Sequence, residues 1–355
     1  MTHDSAATEA HDSAATEARS ARVGWVPLTV GAVSVLVAAF IGSTVGAAGL
    51  DPLSVVKAML DALPGLATDS GLTEVETNIL LEIRLPRVVL GAIVGAVLAV
   101  AGASYQGVFR NALADPFLLG VAAGAGLGAT IAFSVTGSSA YLAPFAFIGG
   151  MTAVGFTYAL GRSVGGRSAT SLILAGVAVA AFATAVQTYV LQQNVETLRE
   201  VYSWILGRLV TVGWSEVWEL LPYAFLATLV LFGSRRLLDV LSIGDDEASA
   251  LGVNVTRVRS VVVIAATLAT AAAVSVSGLI GFVGIIVPHT IRLLFGWSYR
   301  VIIPLSILFG ATFLMLADVA ARTLVSPAEL PIGVVTAFFG APFFLLVLRT
   351  MRGPT

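Results

Sequence analysis

Long apolar stretches alternate with short polar ones along nearly the whole chain. A membrane span needs about 20 mostly apolar residues. Ten stretches answer to that description: 25–48, 87–108, 116–135, 141–161, 169–191, 216–234, 259–277, 279–296, 301–321 and 332–350. The pattern predicts an all-α, polytopic transmembrane helical bundle of about ten spans, occupying residues 23–355. Two polar segments between spans keep helical spacing. Residues 52–62 place Pro52 at the first helical position. Residues 193–212 read as an amphipathic interfacial helix, with Tyr202, Trp204 and Trp214 as belt aromatics. Residues 3–10 and 11–18 repeat HDSAATEA. Such small polar residues bury too little apolar surface to order themselves, so residues 1–22 read as a disordered tail without the layout of a signal peptide. Its histidines, His3 and His11, have no cysteine or third histidine near them to make a metal site.

One polar island, Asp239 to Arg259, interrupts the oily pattern. Ser242 and Asp245 stand where an N-cap and its capping-box partner belong. Asp245, Asp246 and Glu247 occupy a first turn, where carboxylates suit the helix dipole. Leu241, Ala248 and Leu251 supply an apolar stripe, and Gly252 a stop. The island is framed by Arg235–Arg236 and by Arg257 and Arg259. Two readings follow: a solvated loop, or a short helix outside the membrane that plugs into a soluble partner.

Composition narrows the choice. The chain is 57% hydrophobic and 11% charged, against about 25% charged in soluble domains. It has no cysteine, which excludes disulfides, thiolate metal sites and a cysteine nucleophile. Its single lysine, Lys57, lies in SVVKAM without the glycines of a Walker A loop, so any ATP energy must come from another subunit. With both termini cytoplasmic, the inner side carries thirteen of the nineteen basic residues and the outer side six, obeying the positive-inside rule. That expectation makes the chain a multi-pass cell-membrane protein with the island facing the cytoplasm.

Glycines spaced by three or four let helices approach closely in lipid. Gly278, Gly281 and Gly284 followed by Pro288 point further, to a broken helix covered by protein or water, where a path or gate is expected. Asp318 and Arg322, four residues apart, read as a structural ion pair. His289 reads as a hydrogen-bonded structural residue. Thr184, Gln187 and Thr188 either bond back to their own helix or line a watery surface.

Five strings resemble the FecCD family of ABC importer permeases: RLPR at 84–87, QGVFRNALADPFLLG at 106–120, SLILAG at 171–176, GLIGFVGIIVPHTIR at 278–292 and AELPIGVVTAFFGAP at 328–342. The last looks most similar to the vitamin B12 members. The resemblance implies a type II importer fold, a homodimer, cytoplasmic ABC ATPase subunits and an extracytoplasmic substrate-binding protein, all set in membrane lipid. It implies cobalamin as cargo, with a ferric siderophore or haem as the alternative. It assigns binding-protein docking to Arg84, Arg87 and Arg322, a cytoplasmic gate to Thr170 and Ser171, and ATPase coupling to Gly244, Asp246, Glu247, Ala248, Leu251 and Gly252. Three positions depart from the family pattern: Ile243 replaces a leucine, Ala112 a proline, and Arg208 a small residue after Trp204. The reading calls for no catalytic residue, cofactor, resident metal or nucleic acid. Its rivals are an ion-coupled carrier, which needs titratable groups the spans barely offer, and an intramembrane enzyme, which needs a nucleophile–base set the chain lacks.

Overall fold

The computed structural model describes residues 23–46, 49–61, 69–165, 169–209 and 213–351; the tail expected at 1–22 lies outside them. Among the described residues seven helices are long and apolar enough to cross a membrane, and three shorter ones are also apolar. These ten fall on the ten stretches read from the sequence. The membrane helices are α1 (Trp25–Thr44), α4 (Leu85–Phe109), α5 (Val121–Thr136), α6 (Leu142–Gly165), α7 (Ala169–Gln193), α9 (Ser215–Ile243), α11 (Val255–Ser277), α12 (Val283–Phe295), α13 (Tyr299–Thr323) and α14 (Ile332–Met351). Short helices α2 (Pro52–Asp61), α3 (Glu74–Asn78), α8 (Leu198–Ile205) and α10 (Asp245–Ala250) lie between them.

Helix α4 is the hub. Its apolar window is 78% buried, and α9, α11, α12 and α13 all pack on it. Glycine makes that crowding possible: a Cβ at Gly95 would sit 2.2 Å from the Gly310 carbonyl of α13, and one at Gly102 would sit 2.1 Å from that of Gly284. In lipid such close backbone contact replaces the missing hydrophobic drive between helices. Helices α5, α6 and α7 pack together as a second group. By contrast only 22% of the apolar windows of α1 and α7 is buried, leaving apolar faces open.

Two boundaries differ from the sequence expectation, and one break falls where it was expected. Helix α9 runs past its apolar window to Ile243, through Arg235 and Arg236, because the backbone ladder continues outside hydrocarbon without needing apolar side chains. Of the segment at 193–212, whose last three residues lie outside the described ones, the polar part forms a short 3₁₀ turn followed by α8. Trp204 is buried with Val201 and Val274 rather than being a belt aromatic. The eighth span begins as non-helical chain at 278–282, and α12 starts only at Val283.

Candidate functional site

At one end of the bundle the polar island forms a rim. Ser242 is not its N-cap: that residue still belongs to α9 and its hydroxyl donates to the Asp239 carbonyl. Gly244 takes the cap position of α10, and Asp245 is spent differently. Its carboxylate lies 3.2 Å from Arg110 Nη2 and 3.0 Å from Arg259 Nη2. Arg110 caps α4 in the left-handed conformation, and Arg259 belongs to the first turns of α11, so one side chain ties α10 to two core helices. Gly252 closes α10 as expected. With φ near +81° it lets its own N–H reach the Ser249 carbonyl and that of Val253 reach Ala248, the Schellman arrangement.

The residues that the resemblance assigns to coupling divide by exposure. Gly244 and Ala248 are buried, whereas Asp246, Glu247, Leu251 and Gly252 are exposed. The expected stripe of Leu241, Ala248 and Leu251 does not form: Leu241 is buried in α9 and Leu251 is 66% exposed. The outward face is thus an acidic turn flanked by exposed Ile243 and Leu251.

Behind the rim runs a bonded chain that the sequence reading missed. Pro288 has no N–H, so the Gly284 carbonyl one turn back is left without its helical donor. Gln106 Nε2 supplies one at 2.9 Å. Gln106 Oε1 accepts from Arg292, and Arg292 Nη2 donates to the Tyr299 hydroxyl at 3.2 Å. The Tyr299 N–H and Ser298 hydroxyl donate to Asp239 of α9, which also pairs with Arg300 at 3.2 Å. Gln106 and Arg292 sit inside two of the family-like strings; a polar side chain within an apolar run was the available signal. In the loop after α4, burial pushes the Asp115 carboxyl up to about 6, although the Phe117 N–H donates to it.

The broken segment is covered by backbone. Arg208 N–H donates to the Ser277 carbonyl, just before the break, at 2.8 Å. Ile332 N–H donates to Gly207 and Gly333 N–H to Leu206, and the two glycines so joined lie against the Leu279 carbonyl. A Cβ at Gly278 would lie 2.1 Å from the Trp204 carbonyl. Non-helical chain at membrane depth is tolerable only with such internal partners. Gly278 and Gly281 lie in the break itself. Gly284 and Pro288 lie within α12 instead, Gly284 where it meets α4.

At the opposite end the three docking candidates form a closed cluster. Arg84 Nη1 donates to the carbonyls of Ser43 and Thr44, and Arg322 to those of Gly42 and Val45. These are the orphan carbonyls at the end of α1, and cations suit that end of the dipole. Arg87 engages Asp318 at 2.8 Å and Glu329 at 2.9 Å. Arg322 Nε lies 2.9 Å from Asp318, off the line of a hydrogen bond. Arg84 and Arg322 are buried and the Arg87 side chain is only 13% exposed. The resemblance makes these outer-surface arginines, but the three side chains are not exposed: their forks already hold internal oxygens. The Asp318–Arg322 pair is present and is bridged further to Arg87.

The FecCD transport family model matches residues 33–350. The chain belongs to the FecCD transport family. The cobalamin import system permease protein of Halobacterium salinarum is 38% identical over 93% of this chain and 91% of its own. The hemin transport system permease protein of Yersinia pestis is 41% identical over 77% and 84%. Among solved structures, a metal-chelate type ABC transporter in an inward-facing conformation superposes with TM-score 0.79 at 29% identity, covering 91% of this chain and 98% of that one. The chain is thus an ABC importer permease, the membrane subunit of a transporter whose family works with a separate ATPase and a binding protein.

Within this FecCD bundle, Thr170 is exposed and Ser171 half-buried at the start of α7. Thr184 and Thr188 share the exposed face of α7, the Thr188 hydroxyl bonding back to the Thr184 carbonyl at 2.9 Å. Gln187 is not with them: it is buried against Gly126 of α5. His289 is buried edge-on to Phe343, and its Nδ1 has no hydrogen-bond partner among the described residues, contrary to the hydrogen-bonded role expected of it.

Proposed function

We propose that this chain is the permease of a binding-protein-dependent importer that moves a bulky metal chelate, cobalamin first, using ATP hydrolysed by a partner. The carrying observation is α10, a short acidic helix with an exposed outer face, tied through Asp245 to α4 and α11. A push on α10 would reach the hub helix without passing through lipid. Termini on the cytoplasmic side put α10 within reach of an ATPase. In this reading Asp246, Glu247, Leu251 and Gly252 meet the ATPase, while Gly244 and Ala248 hold the helix in place. A second copy would cover the open face of α7, setting Thr170 and Ser171 beside a path on the dimer axis. Of the docking candidates, Arg87, with half-exposed Glu329 beside it, is the one nearest a capture protein.

Cobalamin is supported by the Halobacterium relative, whose match spans almost all of both chains. Haem is the second reading, carried by the Yersinia relative at slightly higher identity over a shorter span. Uptake of labelled cobalamin in cells, competed by unlabelled cobalamin but not by haem, is the expected result; no cobalamin uptake alongside uptake of labelled haem would pass the cargo to haem. The absence of native cysteine gives a clean topology test. A cysteine at Asp246 should react with an impermeant maleimide only from the cytoplasmic side, and labelling from outside would invert the account.

A further inference from the structure

Arg292 is 97% buried in the sense that only 3% of its surface reaches solvent. Its bonding partners, Gln106 and Tyr299, are neutral, and among the described residues no carboxylate lies within ion-pairing distance of it. A buried cation without a counter-charge is costly. This one lines a cavity of about 380 Å³, shared with Gln106, Arg110, Asn111, Ser242, Trp297 and Tyr299. Arg110 is a second guanidinium there, with its side chain 43% exposed. Asn111, whose carbonyl accepts from the Leu113 N–H, offers an amide NH₂.

Two guanidiniums, Arg110 and Arg292, line the cavity, and no carboxylate is among its lining residues. Asp115, Asp246 and Glu247 do not line the cavity. The site therefore favours an anion, and guanidiniums with amide donors suit phosphate oxygens.

Position selects the source of that phosphate. Trp297, in the turn between α12 and α13, lines the cavity, and both helices are apolar. Trp297 at this turn is 65% exposed, and Leu293 and Leu294 just before it are 63% and 68% exposed. An exposed tryptophan beside exposed leucines at a helix end marks headgroup depth, and basic pockets between membrane helices bind anionic headgroups. We infer that this cavity holds the phosphodiester of an anionic phospholipid, which supplies the missing counter-charge to Arg292. The inference needs only the depth of the turn and not the identity of the cargo.

The test is lipid retention by the purified full-length permease, measured by native mass spectrometry after exchange from mixed phosphatidylglycerol–phosphatidylcholine nanodiscs. Wild type should retain phosphatidylglycerol preferentially. Arg292→Met and Arg110→Gln should each lower that preference roughly fivefold, and Arg292→Lys should keep most of it. Arg110→Gln and Trp297→Ala alter exposed side chains and carry the test if Arg292→Met does not fold. Equal retention of both lipids by wild type, or a preference untouched in all variants, overturns the inference. So does inorganic phosphate protecting wild type from heat as well as phosphatidylglycerol does. Absence of lipid preference combined with loss of ATPase binding in Arg292→Met would give the cation to the ATPase and likewise overturn it.

Discussion

The two ends of the bundle use the same chemistry to opposite effect. At one end Asp318 sits between Arg87 and Arg322, its side chain 3% exposed, and Arg84 and Arg322 close off the last carbonyls of α1. At the other end Asp245, 40% exposed, holds Arg110 and Arg259. A buried, shared carboxylate cannot let go cheaply, whereas a half-exposed one can exchange its partners for water at little cost. The closed cluster is built to hold, and the open one is free to exchange its partners, as the coupling role proposed for α10 requires.

Substitutions should separate the two. Asp318→Asn leaves two buried guanidiniums underpaired and should cost about 3–5 kcal/mol, read as a large drop in thermal unfolding temperature in detergent. Arg84→Met strips the donors from Ser43 and Thr44 and should cost about 1–3 kcal/mol; retained stability with lost capture-protein binding would instead return Arg84 to a docking role. Asp245→Asn should cost only about 0.2–1 kcal/mol yet reduce ATP-driven uptake, because its loss uncouples α10 from α4. A double change of Asp246 and Glu247 to lysine should leave stability within about 0.5 kcal/mol and weaken ATPase association measured by co-purification.

The loop between α4 and α5 gives a smaller contrast. Asp115 is held protonated up to about pH 6 by burial, above its ordinary range. The folded state therefore binds more protons than the unfolded one between the two values, and this residue's contribution to stability falls as pH rises through that window. Asp115→Asn keeps an acceptor for the Phe117 N–H and should flatten that part of the stability–pH curve; an unchanged slope would locate the titration elsewhere.

Much of the fold was legible because the apolar period and length of a span are local properties. All ten stretches became helices, and the Gly252 stop needed only a left-handed residue at the right place. What the sequence hid was non-local. Arg84, Arg87 and Arg322 look like surplus outer cations until α1 and Glu329 are brought to them. Ser242 looks like a cap until α9 is seen to run through it. Gln106 and Arg292 are 186 residues apart, and only the packing of α12 on α4 joins them. Exposure divides the coupling residues in the same way: Ala248 and Leu251 look alike in the chain, and one is buried while the other faces out.

The central claim is that the open end takes work from a partner ATPase through α10. Vesicles holding the permease, the ATPase and labelled cobalamin presented by its capture protein test it directly. Uptake should require ATP and the ATPase, and should fall roughly tenfold or more with lysines at Asp246 and Glu247 while unfolding temperature stays put. Cargo accumulating against its gradient without nucleotide, or full uptake by the lysine variant, would contradict the account.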